Sequence, residues 1–244
     1  MNYKEEIKQS LSKKYPYKAE LHAHTKPASP CANLFPEEVV ERYNSLGFSA
    51  ICITNHFAND LFEDRFKLFE KNAAVEHYLD DFHKAYEAGQ KAGINVILGA
   101  EIRFPQNEND YLIFGIEEKD LYDVYDGVKT SSIEDFYKSF SCGDHIVIQA
   151  HPYRDDMICM PPETVDGYEG LNLHPTHNSR VGVAIKTANK AGKLMTAGTD
   201  FHDDGHQGMA AMRFQKLPNN SIELAHILKE NDFIFDVWGS LMLP

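Results

Sequence analysis

The 244-residue chain lacks the features that mark membrane and secreted proteins. Its longest apolar runs, such as residues 94–100, are far shorter than the roughly 20 residues that span a bilayer. Residues 1–14 carry acidic side chains and no apolar core, which argues against a secretory signal. Only four cysteines occur and none forms a CxxC pair, a pattern typical of reduced thiols. We therefore expect a cytoplasmic protein that has no membrane partner.

Positive charge is also scarce. Lys and Arg number 24 against 37 Asp and Glu, which gives a net charge of −13. Binding to nucleic acid is disfavoured, because a protein needs a cationic surface to displace the counterions of the duplex. No GxGxxG or GxxxxGK[ST] motif follows the first predicted strand, which argues against the usual nucleotide-binding loops. An acidic protein that acts on an anionic substrate would bind that substrate through cations.

Short β-rich runs alternate with helical stretches, which is typical of parallel strands with helices packed outside them. The number of repeats favours a closed barrel over a doubly wound sheet. We therefore predict an α/β fold that forms a single domain, a TIM-like barrel of eight or fewer repeats. The predicted strands are 18–24, 48–54, 94–101, 110–116, 145–151, 168–173, 193–200 and 232–238, and the predicted helices are 2–14, 36–46, 73–92, 131–141, 178–191 and 221–229.

Histidine is abundant, with 12 residues, and its positions are informative. Five predicted strands each end in a histidine or a carboxylate. Because the carboxyl ends of parallel strands meet at one mouth of a barrel, we expect these side chains to converge. Imidazole and carboxylate together suit Zn, Mn or Fe. The five motifs are His22-Ala23-His24, Thr54-Asn55-His56, Gly99-Ala100-Glu101, Gln149-Ala150-His151 and Gly198-Thr199-Asp200-Phe201-His202.

The spacing within these motifs predicts more than one metal ion. His22 and His24 are two residues apart on a strand, so both point to the same side. Asp200 and His202 repeat that arrangement on a later strand. Two such pairs together with Glu101 exceed the ligands that one metal needs, so we expect two or three divalent ions. A carboxylate can bridge two cations, whereas a neutral imidazole cannot.

At these motifs the sequence resembles the PHP (polymerase and histidinol phosphatase) family of metal-dependent phosphoesterases. The resemblance implies a distorted (β/α)7 barrel with a trinuclear metal centre. The matching pieces occur in the family's order between residues 21 and 202, and they are Leu21-His22-Ala23-His24-Thr25, Ser29-Pro30-Cys31, Thr54-Asn55-His56, Gly99-Ala100-Glu101, Ala150-His151-Pro152 and Gly198-Thr199-Asp200-Phe201-His202.

The resemblance also implies which residues bind each metal. The first metal would be held by His22, His24, Glu101 and Asp200. Glu101 would bridge to a second metal that is shared with His151. His56 and His202 would hold the third.

Three further positions are compared with the residues that are usual in the family. Cys31 lies where the family often has His, Asp or Cys, so it is a candidate thiolate ligand and equally a small buried apolar residue. Asn55 replaces an Asp that is common in the family. Asp110 lies where the second metal usually gains a His, so it either binds that metal through oxygen or faces solvent. In the latter case the centre has fewer metals.

The activity that the resemblance implies is hydrolysis of a small-molecule phosphomonoester by a metal-activated hydroxide at a di- or trinuclear centre. His177 or a metal-bound water would supply the proton for the leaving group. Arg154, Arg180 and Arg103 follow the predicted ligands or lie near a helix start, where a guanidinium could bind phosphate. Three other functions stay open. They are C–N hydrolysis of the amidohydrolase type, a non-catalytic metal-binding module and a nuclease, the last disfavoured by the charge.

Overall fold

The computed structural model describes residues 3–140 and 143–244. The strands are β1 (Tyr17–Ala23), β2 (Ala50–Ile53), β3 (His56–Ala58), β4 (Asn95–Leu98), β5 (Ala100–Arg103), β6 (Asp110–Phe114), β7 (Ile146–Gln149), β8 (Gly167–Asn172), β9 (Leu194–Gly198), β10 (Ala211–Phe214), β11 (Phe233–Val237) and β12 (Ser240–Met242). The α-helices are α1 (Tyr3–Lys14), α2 (Pro36–Ser45), α3 (Lys71–Ala92), α4 (Leu121–Thr130), α5 (Ile133–Phe140), α6 (Val181–Ala191) and α7 (Ser221–Glu230). Shorter helical turns cover Leu61–Arg65, Glu118–Asp120 and Pro162–Thr164.

The strands form two six-stranded sheets that adjoin each other. One sheet has the order β12-β11-β10-β1-β2-β4, and the other has the order β3-β5-β6-β7-β8-β9. The sheets meet where β1 ends, because Ala23 pairs with Phe201 just after β9 and the His24 amide donates to the Phe201 carbonyl at 3.0 Å. They meet again at Gly99, which separates β4 of the first sheet from β5 of the second. The ends of β1 and β9 are therefore neighbours, and β5 begins where β4 ends.

The helices follow from local sequence and from burial. Helix α2 begins at Pro36, whose fixed φ suits a first helical position. Its residues Val39, Val40 and Tyr43 are buried against the core. Helix α3 ends at Gly93, which adopts the left-handed conformation that stops many helices. Helix α1, by contrast, buries no residue. Within the described residues, no helix combines the length and apolarity needed to cross a membrane.

The predicted parallel arrangement holds for only part of the two sheets. β5 pairs with β6, and β6 with β7, in antiparallel fashion, as do the pairs β1/β10, β10/β11 and β11/β12. For the pair β5/β6 the physical reason is connection length: residues 104–109 are too few for a crossover, which usually needs a dozen or more. In the other sheet, β10 (Ala211–Phe214) pairs with β1 in the opposite direction.

Most predicted elements coincide with observed ones, with several differences. The strand predicted at 94–101 is two strands, because the chain changes sheets at Gly99. Elements β3, β10, β12 and α4 were not expected. Residues 2 and 141 of two predicted helices, and Cys142, lie outside the described residues.

Candidate metal centre

The ends of β1, β7 and β9 and the starts of β3 and β5 bring imidazoles and carboxylates to one place. His22 lies in β1 with His24 just beyond it, His56 opens β3, and Glu101 lies in β5. His151, Asp200 and His202 follow β7 and β9. His56 and His202 are half-buried, and the other five side chains are buried. The convergence expected from the strand-end pattern is therefore present.

Glu101 lies at the centre of the cluster. Its Oε1 is 3.2 Å from Nε2 of His22 and 3.2 Å from Nε2 of His151. Its Oε2 is 3.3 Å from Nε2 of His24 and 2.8 Å from Nδ1 of His56. One carboxylate thus contacts four imidazoles, two through each oxygen, which is the arrangement expected of a bridging ligand.

Asp200 closes the cluster from the other side. Its Oδ1 is 3.3 Å from Nε2 of both His22 and His24, and 3.4 Å from Nδ1 of His202. The Nε2 atoms of His22 and His24 are 3.1 Å apart. Four groups of possible metal-binding atoms each lie within 4.8 Å of one another: His24 with His56 and His202, His22 with Glu101 and His151, His22 with His24 and Asp200, and His56 with Glu101 and Asp110.

The chemistry around His22 fits a bound cation. Its Nδ1 donates to Glu169 at 2.9 Å, so that in the neutral ring the lone pair lies on Nε2. That lone pair faces oxygens of Glu101 and Asp200 and the Nε2 of His24, all groups that carry lone pairs of their own. A cation at this point would satisfy all of them. Nitrogen and oxygen donors of this kind are the ligands that Zn, Mn and Fe accept.

The electrostatics of the centre agree with that interpretation. Burial would raise the pKa of Asp200, but the nearby imidazoles outweigh burial and hold this pKa well below its usual range. The pKa of Glu101 is lowered in the same way, mainly by His22 and His56. Both carboxylates are therefore ionised at neutral pH and can act as ligands.

Backbone strain marks two of the seven residues. His151 has φ of 27° and Asp200 has φ of 55°, values that side chains with a Cβ rarely adopt. Each follows a buried strand, so the positive φ turns its side chain into the cluster. Strain of this kind costs of order 1–3 kcal/mol and is concentrated at functional sites.

A cavity of about 820 Å³ opens over the cluster. His56, Asp200 and His202 form part of its floor, and Arg103 and Arg154 are on its wall. Further lining residues are Cys31, His174, His177, Asn178, Asp203 and His206.

A family model for the PHP domain matches residues 20–237. The chain belongs to the PHP family. No curated protein sequence matches it. A Bifidobacterium adolescentis protein described provisionally as a metal-dependent phosphoesterase shares 15% identity at a TM-score of 0.52, over 86% of this chain and 95% of that one. A two-domain Bacteroides vulgatus protein with a predicted PHP-like metal-dependent phosphoesterase shares 17% identity at a TM-score of 0.60, over 90% of this chain and 64% of that one. An amidohydrolase from Chromobacterium violaceum, whose structure holds sulfate and no metal, shares 15% identity at a TM-score of 0.52, over 77% of this chain and 88% of that one.

Cys31, the last residue of the Ser29-Pro30-Cys31 motif, lies next to His202. Its Sγ is 3.1 Å from Nε2 of His202, and it lies in the loop whose Ser29 hydroxyl pairs with Nδ1 of His24 at 3.0 Å. Burial raises the pKa of the thiol, but hydrogen bonding and charge from His56 outweigh it and lower the pKa below its ordinary value. The side chain lines the cavity, so it is not a buried apolar residue. Its role as a metal ligand stays a prediction.

The remaining predicted residues differ in the contacts that they make. Asp110 is buried and is bound by Arg103, while Arg154 contacts Asp200 at 2.8 Å. His177 lines the cavity but is exposed. Arg180 donates to the Tyr153 carbonyl and to Asp155, each at 2.5 Å. Its predicted contact with phosphate would require that pairing to open. Asn55, the departure from the family's Asp, binds Thr25 through both ends of its amide, which is a structural role.

Two buried carboxylates next to the centre, Glu169 and Glu20, are not among the residues that the sequence predicts. Glu169 accepts from Nδ1 of His22, from the His151 amide at 3.0 Å and from Asn172 at 2.9 Å. It thereby orients one predicted ligand and fixes the strained backbone of another. An acidic residue in the middle of a buried strand is the signal that could have revealed it, because an unpaired charge there would be costly.

Glu20 has the corresponding role at the other side of β1. It accepts from the amides of His22 at 3.0 Å and Thr199 at 2.9 Å, and from the Tyr43 hydroxyl at 2.9 Å. Burial raises its pKa to about 7. Gly198 makes room for this arrangement, since a Cβ there would lie 2.6 Å from the His22 Cβ, 2.7 Å from Glu169 Oε1 and 3.2 Å from Glu20 Oε1.

Proposed function

We propose that this PHP protein is a metal-dependent phosphoesterase that hydrolyses a small-molecule phosphomonoester. The observation that carries the proposal is the pair of ionised carboxylates, Glu101 and Asp200, each surrounded by imidazoles, beside an open cavity that Asp200 lines. His22, His24, His56 and His202 complete the proposed ligand set, and His151 joins it only if its Nε2 is released from Arg154. Bound divalent ions, with Zn, Mn and Fe as the candidates, would polarise the phosphoryl group and activate water.

The chain's own residues would bind and orient the substrate. Arg154 and Arg103 line the cavity beside the predicted ligands, and a guanidinium matches the geometry of phosphate oxygens. The cavity can hold a ligand of small-molecule size. A chain with a net charge of −13 would otherwise repel an anionic ester, so these two arginines supply positive charge at the point where it is needed.

His177 is our candidate for the group that protonates the leaving alkoxide. Burial and the neighbouring Arg154 lower its pKa, so the free ring is neutral at pH 7. A phosphate dianion bound in the cavity would raise this pKa again. The role therefore predicts that His177→Ala changes the basic limb of the pH profile of kcat.

Three further parts of the proposal concern the whole chain. We propose that the two adjoining sheets form the distorted (β/α)7 barrel of the family, that residues 1–244 are a single domain, and that the protein is cytoplasmic. The free state of Cys31, Cys52 and Cys159 supports the last point.

A phosphate-release screen over a panel of phosphomonoesters tests the function. Activity should disappear after chelation and return when Mn²⁺ or Zn²⁺ is added. Ammonia release from a panel of amides, with no phosphate release, would instead favour an amidohydrolase reaction. A purified protein with less than one equivalent of bound metal, and no rescue by added Mn²⁺ or Zn²⁺, would favour a non-catalytic module.

A further inference from the structure

We propose that the guanidinium groups of Arg103 and Arg154 take the place of one of the three cations that the PHP resemblance implies, so that this centre holds two metal ions. The inference rests on the metal-dependent function proposed above. It concerns the number of ions and the side of the centre on which they bind.

The side in question is that of Asp110 and His151. Arg103 donates to both oxygens of Asp110, from Nε to Oδ1 at 2.8 Å and from Nη2 to Oδ2 at 2.9 Å. The Asp110 side chain is fully buried, and Arg103 is fixed from its other edge by Glu108 at 3.1 Å. A two-point pairing of this kind is among the strongest that a carboxylate makes. Asp110 is therefore already neutralised, at the position where the family usually has a histidine ligand.

His151 is engaged in a similar way. Arg154 donates from Nη2 to Nε2 of His151 at 2.8 Å. A ring nitrogen has a single lone pair, so this Nε2 cannot accept from Arg154 and bind a metal at the same time. The same guanidinium donates from Nη1 to Oδ2 of Asp200 at 2.8 Å, and its Nη2 lies 3.7 Å from Oδ2 of Asp110. It therefore lies between three groups that would otherwise surround a cation.

Among residues 3–140 and 143–244, no guanidinium forms a hydrogen bond to the opposite side of the centre. Oδ1 of Asp200 faces His22 and His24, while only its Oδ2 faces Arg154. A second set of donors comprises His56 and His202, with the Cys31 thiol 3.1 Å from Nε2 of His202. His24 lies close to both sets, but its Nε2 can bind only one ion. Glu101 reaches both sets through its two oxygens. These donors suffice for two ions that share Glu101.

Charge explains why a third ion would be disfavoured. A dication bound by His151 and Asp110 would have the Arg154 guanidinium as an immediate neighbour, since that group already contacts both residues. Like charges at such separations repel strongly where water is largely excluded. An arginine in this place also keeps a permanent positive charge for a phosphate oxygen, whatever the supply of metal.

Metal stoichiometry tests the inference without reference to activity. The purified protein would be stripped with a chelator, reloaded with Zn²⁺, freed of excess by gel filtration and measured by elemental analysis. The wild type should retain two equivalents. The Arg103→Met/Arg154→Met variant, which frees Asp110 and His151, should retain three. Arg65→Met, a change at an exposed arginine in the Leu61–Arg65 turn, is the matched control and should retain two.

The outcomes separate the inference from the proposed function. Three equivalents in the wild type would overturn the inference and leave a metal-dependent phosphoesterase intact. That measurement needs no variant to fold. A double variant that melts cooperatively yet still binds two equivalents would also overturn it. Fewer than two equivalents in the wild type would contradict both the inference and the proposed centre.

Discussion

Replacing Glu169 by Gln should weaken metal binding although Glu169 touches no metal position itself. The carboxylate accepts three hydrogen bonds, from Nδ1 of His22, the His151 amide and Asn172. An amide of the same shape has only one acceptor oxygen. If that oxygen serves the His151 amide and Asn172, the new NH2 group faces the Nδ1 proton of His22. His22 can escape only by moving its proton to Nε2, the atom that faces Glu101 and Asp200.

The size of the effect follows from these contacts. Loss of a carboxylate that orients a metal-binding histidine typically costs about 10–100-fold in metal affinity, or roughly 1.4–2.7 kcal/mol. One buried donor left without an acceptor costs about 1–3 kcal/mol in the metal-free protein. For a chain of this size, that lowers the melting temperature by roughly 2–12 °C.

Competition with a chromogenic chelator would measure the affinity, and melting with and without saturating Zn²⁺ would measure the stability. The metal-induced gain in stability should shrink together with the affinity, because the two are linked by mass action. A purely structural role would lower both melting curves equally and leave that gain unchanged. Glu163→Gln, at an exposed glutamate, is the matched control. Metal affinity within twofold of the wild type would refute the reasoning.

Three other changes test the remaining parts of the site. Asp200→Ala should abolish turnover and remove at least one metal equivalent while the protein stays folded, and full activity in this variant would contradict the ligand assignment. Gly198→Ala should destabilise the protein by about 1–3 kcal/mol, because the new Cβ would lie less than 3 Å from atoms of His22 and Glu169. Gly182→Ala, in a helix with open space around the new Cβ, should be neutral or stabilising by up to about 1 kcal/mol. Chemical denaturation measures both changes. Cys31→Ser should remove the thiolate-to-metal absorption band of the Co²⁺-loaded protein, and a wild type without that band would show that Cys31 is not a ligand.

The sequence points to the residues of the cluster because they stand at or just after the ends of predicted buried strands. A histidine such as His22 or His56, or an acid such as Asp200, is conspicuous after an apolar run, and parallel neighbours must bring such ends together. The partners of these residues are different. Glu169 lies inside its strand, where periodicity predicts only burial, and its contact with His22 spans 147 positions of the chain.

Topology and pairing were beyond the sequence for related reasons. The antiparallel return of β6 depends on a connection too short for a crossover, and a predicted strand that runs through Gly99 conceals the change of sheet. The pairing of Arg103 with Asp110 depends in turn on that return, since the two residues face each other across the β5–β6 ladder. Without the hairpin, Asp110 could equally be a metal ligand or a solvent-exposed residue.

The charges of the centre connect the fold with the proposed reaction. Glu101, Asp110, Asp200 and, below them, Glu169 are buried in one region of a chain that is already strongly acidic. Burial of that many carboxylates is tolerable only if cations neutralise them. Arg103 and Arg154 neutralise one side through hydrogen bonds that the chain makes for itself. The other side offers imidazole nitrogens and carboxylate oxygens directed at common points, an arrangement that divalent ions would fill. The same cations that make these acids stable in the interior would then hold the phosphate group of the substrate, so that stability and substrate binding depend on one charge balance.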